Sequence, residues 1–269
     1  MASPLAASDI LIRETVGSVV VLTLNRPAAR NSLSLELTHT LHDTMQALHH
    51  DRHVRAVVIA ANGTVFSAGH DLKELTAHRT DSDRGRNYFK QVMTACSDMM
   101  QSIVHLPKPV IAAVQGLATA AGCQLVASCD LAVASAKASF ATPGIDIGLF
   151  CSTPMVALTR NVPRKHAMHM LLTGEPISAQ RARELGLINH VVDPGKEREA
   201  AIDLANRIAV KSAHTIKIGK EAFYRQAEMG LADAYRYAAQ VMTENMMIRD
   251  AEEGIGAFIE KRKAKWEDR

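Results

Sequence analysis

Residues 56–71 read AVVIAANGTVFSAGHD, and the fold is decided in this stretch. The apolar run Ala56 to Ala61 predicts a buried strand, ended by the turn pair Asn62-Gly63. The chain re-extends through Val65-Phe66 and reaches Ala68-Gly69 just before a predicted helix. Small residues at a helix start let a ligand approach the backbone closely. The free N–H groups and positive dipole end found there favour a negative oxygen.

A second stretch repeats the arrangement. Pro109 to Cys123 reads PVIAAVQGLATAAGC, a strand running to Gly116 and then Ala121-Gly122. Gly63 and Gly69 are six residues apart, as are Gly116 and Gly122. Two strands ending in one loop shape would aim the N–H groups of Ala68 and Ala121 at a single oxygen, an oxyanion hole. The plainer reading is two ordinary turns, and spacing alone leaves both open.

The chain has 269 residues, 47% of them hydrophobic, enough for one large domain or a domain with an appendage. The net charge of +3 is mild, and Lys and Arg mix with Asp and Glu, so nucleic acid is not indicated as a partner. Lys211, Lys217 and Lys220 make no dense basic helix. Cys96, Cys123, Cys129 and Cys151 form no C-x-x-C pair and no zinc spacing, so no metal is expected. They read as reduced thiols in a cytoplasmic-type compartment. The opening MASPLAASD lacks the features of a secretory signal, and no apolar run approaches the ~20 residues of a membrane span.

Taken in order, Val19 to Leu24 predicts a strand, and Asn31-Ser32 a helix start. Leu33, Leu37, Leu41, Met45 and Leu48 give that helix a buried stripe. His39, His42, His49, His50 and His53 fall on its outer side and end, as solvated surface or a metal site. The polar run from Thr76 to Tyr88 reads as a mobile loop beside the first Ala-Gly turn. Phe89 to Ile103 predicts a helix, Pro107 to Val114 a strand, Ala118 to Cys129 a helix and Asp130 to Ala136 a strand. Ser139 to Gly144 reads as a loop, and Ser152-Thr153-Pro154 as a helix start. Beyond Pro163, helical periodicity dominates apart from Ile188 to Val192. Residues 1–195 are expected to form an α/β core and 196–269 a helical region.

Ordered motifs then tie the chain to a family. They are Leu24-Asn25-Arg26-Pro27, Phe66 to Leu72, Pro107 to Gly116, Gly122 to Leu125 with Cys129-Asp130, and Leu172-Thr173-Gly174. Ile177 to Gln180 with Ala182, Gly186-Leu187-Ile188, Gly256-Ala257-Phe258 and Glu260 to Lys263 follow. With these motifs the chain resembles the enoyl-CoA hydratase/isomerase (crotonase) family over nearly its whole length. Gly69–Leu75, Ala120–Asp130, Phe140–Gly144 and Gly148–Pro154 mark one sub-branch within it.

The resemblance implies an α/β spiral of repeated strand–strand–helix turns, with a C-terminal helical region that builds trimers or hexamers. It implies an acyl-CoA thioester as substrate, with coenzyme A carried by the substrate and no permanently bound cofactor. Ala68 and Ala121 would bind the thioester carbonyl. Arg26 and Ala68, Gly69, His70, Asp71 and Leu72 would line the CoA path. Phe258 and Lys261 match positions that reach CoA in the family, sometimes from a neighbouring subunit, although Phe258 also suits plain helix packing.

The departures from the family are as informative. A hydratase shares acid/base work between two carboxylates. The positions that would carry them hold Gln124 and Gly144, neither of which moves a proton near neutral pH. His70 occurs within a Gly-His-Asp that resembles methylmalonyl-CoA decarboxylase of this family. It reads as an acid, base or electrostatic stabiliser, or as a structural His bonded to a carbonyl. Asp146 is a substitute carboxylate unless its loop turns it away. Cys151 and Ser152 stand where other subfamilies place catalytic groups, but also read as inert packing and a helix N-cap. Asp71 reads as a cap of the helix after the turn, with a direct catalytic role as the alternative. Ala120-Ala121 replaces a usual Gly pair and would narrow the acyl cavity.

Three functional readings result. One is a hydratase/isomerase-family enzyme of fatty-acid or related acyl-CoA metabolism that keeps the thioester site without its acid/base pair. The second is a decarboxylase-like or thioester-hydrolysing enzyme using His70. The third is an acyl-CoA-binding subunit without catalysis.

Overall fold

A computed structural model describes residues 10–269; the MASPLAASD opening lies outside the described residues. Strands β1 (Leu11–Val16) and β2 (Val19–Leu24) precede helix α1 (Leu35–His50). The first repeated turn is β3 (Ala56–Ala61), β4 (Val65–Ser67), α2 (Leu72–Ala77) and α3 (Arg86–His105). The second is β5 (Val110–Val114), β6 (Leu117–Thr119) and α4 (Ala121–Ser128). The third is β7 (Leu131–Ser135), β8 (Ser139–Ala141), α5 (Ser152–Asn161) and α6 (Arg164–Thr173). After β9 (Ile177–Ser178), α7 (Ala179–Glu184) and β10 (His190–Val192) come α8 (Glu197–Ala209), α9 (Ala213–Ala227), α10 (Leu231–Met246) and α11 (Arg249–Ile259). No described helix is long and apolar enough to cross a membrane.

Each repeated turn gives one strand to each of two sheets. The larger has the order β1-β2-β3-β5-β7-β10, and the smaller β4-β6-β8-β9. From β2 onward the larger sheet is parallel. This is the α/β spiral that the resemblance implies. Successive turns stack backbone to backbone. A Cβ on Gly116 would lie 2.0 Å from the Thr64 carbonyl oxygen, and one on Gly122 2.3 Å from that of Ser67. Only glycine fits such approaches.

The uninterrupted apolar run of β3 has a simple cause: both faces are covered. Val57 and Ile59 pack with Leu37, Leu41 and Met45 of α1 and Met99 and Ile103 of α3. Ala56, Val58 and Ala60 pack with Ala201 and Ala205 of α8. Helix α8 therefore lies beyond the expected boundary at residue 195 yet covers the sheet.

Several local expectations are corrected. α1 begins at Leu35, capped by the Ser34 hydroxyl, four residues after Asn31. The run from Thr76 to Tyr88 is built rather than loose. It holds the end of α2, a 3-10 turn at His78–Thr80 and the start of α3. His78 pairs with Asp81 at 2.8 Å and stacks on Tyr88 with ring centroids 3.5 Å apart. Asp83 caps α3 by accepting from the Gly85 and Asn87 amides, each at 2.9 Å. The polarity of this run is capping chemistry. The small sheet supplies two further corrections: Leu117–Thr119 and Ser139–Ala141 are strands, where helix and loop are expected.

Candidate active site

The site forms where β4 and β6 run out side by side. Their register pairs Val65 with Leu117 and Ser67 with Ala118, with an irregularity between the two pairs. Carried forward from Ser67 and Ala118, this register sets Gly69 beside Ala120 and His70 beside Ala121. The close approach agrees. A Cβ on Gly69 would lie 2.9 Å from the Ala120 Cβ and 3.2 Å from the Ala121 nitrogen.

This geometry corrects the expectation at Ala68. The Ala68 amide is already bonded to the Arg30 carbonyl at 3.0 Å, so it is not free for an oxyanion. The Leu33 amide donates to the Gly69 carbonyl at 2.7 Å, and the Asp71 amide donates to the Leu33 carbonyl at 3.3 Å. Both groups flanking His70 thus face Leu33, and backbone alternation turns the His70 N–H to the opposite side, toward α4. Neither the His70 nor the Ala121 amide has a backbone acceptor among the described residues. Equal Gly spacing in the two stretches hides the register irregularity, and that is why it selects Ala68.

Ala120 caps α4 with φ 52° and ψ −119°, a conformation that favours glycine. Such a placement of alanine costs about 1–3 kcal/mol. Its amide donates to the Ala141 carbonyl at 2.9 Å and its carbonyl accepts from the Gln124 amide at 3.0 Å, so both ends are fixed.

A clamp from the N-terminal side holds the first stretch. The Asn31 side chain donates to the carbonyls of Asn62 and Val65, both at 2.8 Å, and accepts from the Arg26 amide at 2.8 Å. The Ser67 hydroxyl donates to the Asn31 carbonyl at 2.9 Å. Arg26 reaches the Ser32 carbonyl at 2.6 Å and the Asp71 carboxylate at 3.0 Å. Asp71 also accepts from the Ser32 hydroxyl and caps α2 through the Lys73 and Glu74 amides. Burial pushes the Asp71 carboxyl up, but Arg26, the Glu74 amide and the Ser32 hydroxyl outweigh it and hold the group below its ordinary value. Asp71 is thus a cap and latch. Leu72, half exposed, follows as the first residue of α2.

The His70 side chain is a different matter from its amide. Neither ring nitrogen has a hydrogen-bond partner, although both are buried. Burial lowers the imidazole pKa; the nearby Leu33 carbonyl and the Glu74 carboxylate pull the other way without overcoming it. Gln124 is 5% exposed and its Oε1 is also without a partner. The Thr119 and Thr142 hydroxyls share that condition, and nothing in their sequence context marks them.

At position 144 the space for a side chain is closed. A Cβ on Gly144 would lie 2.9 Å from Cys151 Sγ and 2.9 Å from the Leu149 carbonyl oxygen. Cys151 is buried, and burial raises its thiol pKa. The same cause pushes Cys123 up to about 12. Neither is an activated nucleophile. Asp146 is exposed and turned away: a Cβ on Gly174 would lie 3.0 Å from its Oδ2. Ser152 is the first residue of α5 rather than its cap, and its hydroxyl donates to the Phe150 carbonyl at 3.3 Å. Phe258 is 84% exposed on α11, so packing within the chain does not account for it. Lys261, also exposed, follows that helix with φ 57°. No cluster of three or more metal-ligating side chains occurs among the described residues.

The comparisons agree with this architecture. A family model described as enoyl-CoA hydratase/isomerase matches residues 14–269. The rat mitochondrial enoyl-CoA hydratase domain-containing protein 3 is 49% identical over 245 residues, 91% of this chain and 80% of that protein. The crystal structure of the human protein of that name superposes with a TM-score of 0.90 at 47% identity, covering 96% of this chain and all (100%) of that one. An enoyl-CoA hydratase structure from Mycobacterium smegmatis gives a TM-score of 0.91 at 47% identity, covering 96% of this chain and 99% of that one. Relatives of this branch carry the word mitochondrial in their names, which overturns the cytoplasmic expectation. Four unpaired, buried cysteines fit any reducing compartment and do not single one out. On its matched length and its spiral of stacked turns, the chain belongs to the enoyl-CoA hydratase/isomerase, or crotonase, family.

Proposed function

We propose that the chain binds the CoA thioester of an acyl group and stabilises its enolate between the amides of His70 and Ala121. The observation that carries this reading is the pair of unengaged N–H groups on touching loops. Charge that develops on the thioester oxygen meets two fixed donors, and one such donor is worth about 3 kcal/mol of barrier. Coenzyme A enters and leaves with the substrate. Arg26 and Asp71 act by holding the His70 loop.

Ordinary hydration is not the reaction this site favours. Hydration needs a group to activate water and one to protonate carbon. Gln124 does neither, and position 144 has no side chain and no room for one. The buried, unpartnered His70 imidazole favours a second reading, in which the enolate arises by loss of CO₂ from a malonyl-type thioester or the thioester is hydrolysed. Decarboxylation requires no base to form the enolate.

A panel on purified protein separates these readings: crotonyl-CoA hydration, 3-enoyl isomerisation, methylmalonyl-CoA decarboxylation and acyl-CoA hydrolysis. Decarboxylation or hydrolysis without hydration is the expected outcome. Fast crotonyl-CoA hydration that survives Gln124→Ala would refute the importance given to the missing carboxylates. Tight binding without turnover of any thioester would identify a non-catalytic acyl-CoA-binding subunit. We also propose self-association into trimers or hexamers through the C-terminal helices. Leu231, Met247 and Phe258 are 77%, 79% and 84% exposed there. A monomer by light scattering at micromolar concentration counts against it.

A further inference from the structure

We infer that Ala120 is a positioning residue for the thioester: its methyl group is the spacer that fixes the separation of the His70 and Ala121 amides. This rests on the oxyanion reading above. Each donor directly follows one member of a touching pair, His70 after Gly69 and Ala121 after Ala120. The Ala120 methyl lies 2.9 Å from the point where a Gly69 Cβ would stand, so it rests on the bare Gly69 backbone. Gly69 itself has φ 84° and presents only hydrogen on that side. The Thr119 carbonyl oxygen and the Ala121 nitrogen stand 3.1 and 3.2 Å from the same point, so the Ala120 methyl is the nearest of three contacts and the one side chain among them.

The backbone of Ala120 makes the choice of residue informative. With φ 52° and ψ −119° it sits where glycine is at ease and alanine is strained. Its hydrogen bonds to Ala141 and Gln124 hold it there. Glycine would relieve the strain without disturbing either bond, but it would leave a gap over Gly69. The strain is the cost of keeping a Cβ at this contact.

The test uses the full chain with butyryl-CoA carrying carbon-13 at the thioester carbonyl, read by infrared difference spectroscopy, and thermal unfolding in parallel. Wild-type protein is expected to lower the carbonyl frequency. Ala120→Gly is expected to melt higher yet lose much of that shift, and to turn over any substrate the wild type processes about 10-fold more slowly. Ala120→Ser keeps the Cβ and is expected to keep the shift. If wild type shifts the carbonyl and Ala120→Gly shifts it equally, the spacer role is overturned while the oxyanion pair stands. If wild type leaves the carbonyl unmoved, the oxyanion pair falls and the spacer with it. An Ala120→Gly protein that melts lower or fails to fold refutes the strain assignment and overturns the inference.

Discussion

On one side of the site, two amides stand on touching loops; on the other, positions 124 and 144 hold Gln and Gly and no carboxylate. The first side is made of backbone. Any residue at 70 or 121 other than proline supplies the N–H, so the pair of amides survives side-chain change. The second side depends wholly on which side chains stand there. The difference teaches that groups presented by the main chain are insensitive to substitution, whereas proton chemistry carried by side chains is not.

The sharpest way to break that comparison is to rebuild the side-chain half. Gln124→Glu combined with Gly144→Glu is expected not to create hydration, because a side chain at 144 meets Cys151 Sγ and the Leu149 carbonyl. Overpacking there is expected to cost about 3 kcal/mol or more in urea unfolding. A folded double variant that hydrates crotonyl-CoA would show that the space is open after all.

On the backbone half, Gly69→Ala forces a side chain into φ 84° and onto Ala120. Turnover of whichever thioester proves to be the substrate is expected to fall about 100-fold or more. Asn31→Ala is next. It leaves the Asn62 and Val65 carbonyls without their bonds and is expected to cost about 2–3 kcal/mol by chemical denaturation. Fraying of the 62–71 stretch by hydrogen exchange would accompany it.

The smallest expected effect separates the two roles of one residue. His70→Ala keeps the amide and removes the imidazole. If the oxyanion reading is right, thioester binding persists, and only steps that use the imidazole are lost. Its pH signature has a defined sign. The folded His70 pKa lies below 6.5, so below about pH 6.5 the unfolded chain binds more protons than the native one. Wild-type stability is thus expected to fall as pH drops from 6.5 through the folded pKa, and His70→Ala to lack that component. Superimposable pH–stability curves for the two proteins would contradict the burial of a neutral imidazole.

Much of the scaffold was legible because its signals are local. Val19–Leu24 and Ala56–Ala61 match β2 and β3 to the residue, since long apolar runs end at strong turn pairs. Asp71 was readable as a cap because capping is a contact with the next few residues. The short strands β6 and β8 were not, since three residues carry no usable periodicity. The unengaged amide of His70 was hidden for another reason. It depends on the register between β4 and β6, a long-range pairing with an irregularity that no spacing within either stretch reveals. The closed space at Gly144 and the turned-away Asp146 are likewise facts of loop path, set by contacts with Leu149, Cys151 and Gly174.

The placement of α8 carries a last consequence. Val19, Val21, Ala56, Val58, Ile111 and Val133 rely on Ala201 and Ala205 for cover. A chain cut near residue 195 would present that face of the parallel sheet to solvent. Such a fragment is expected to aggregate. The region after residue 195 is thus a lining of the central sheet, and melting of the two is expected to be a single cooperative event.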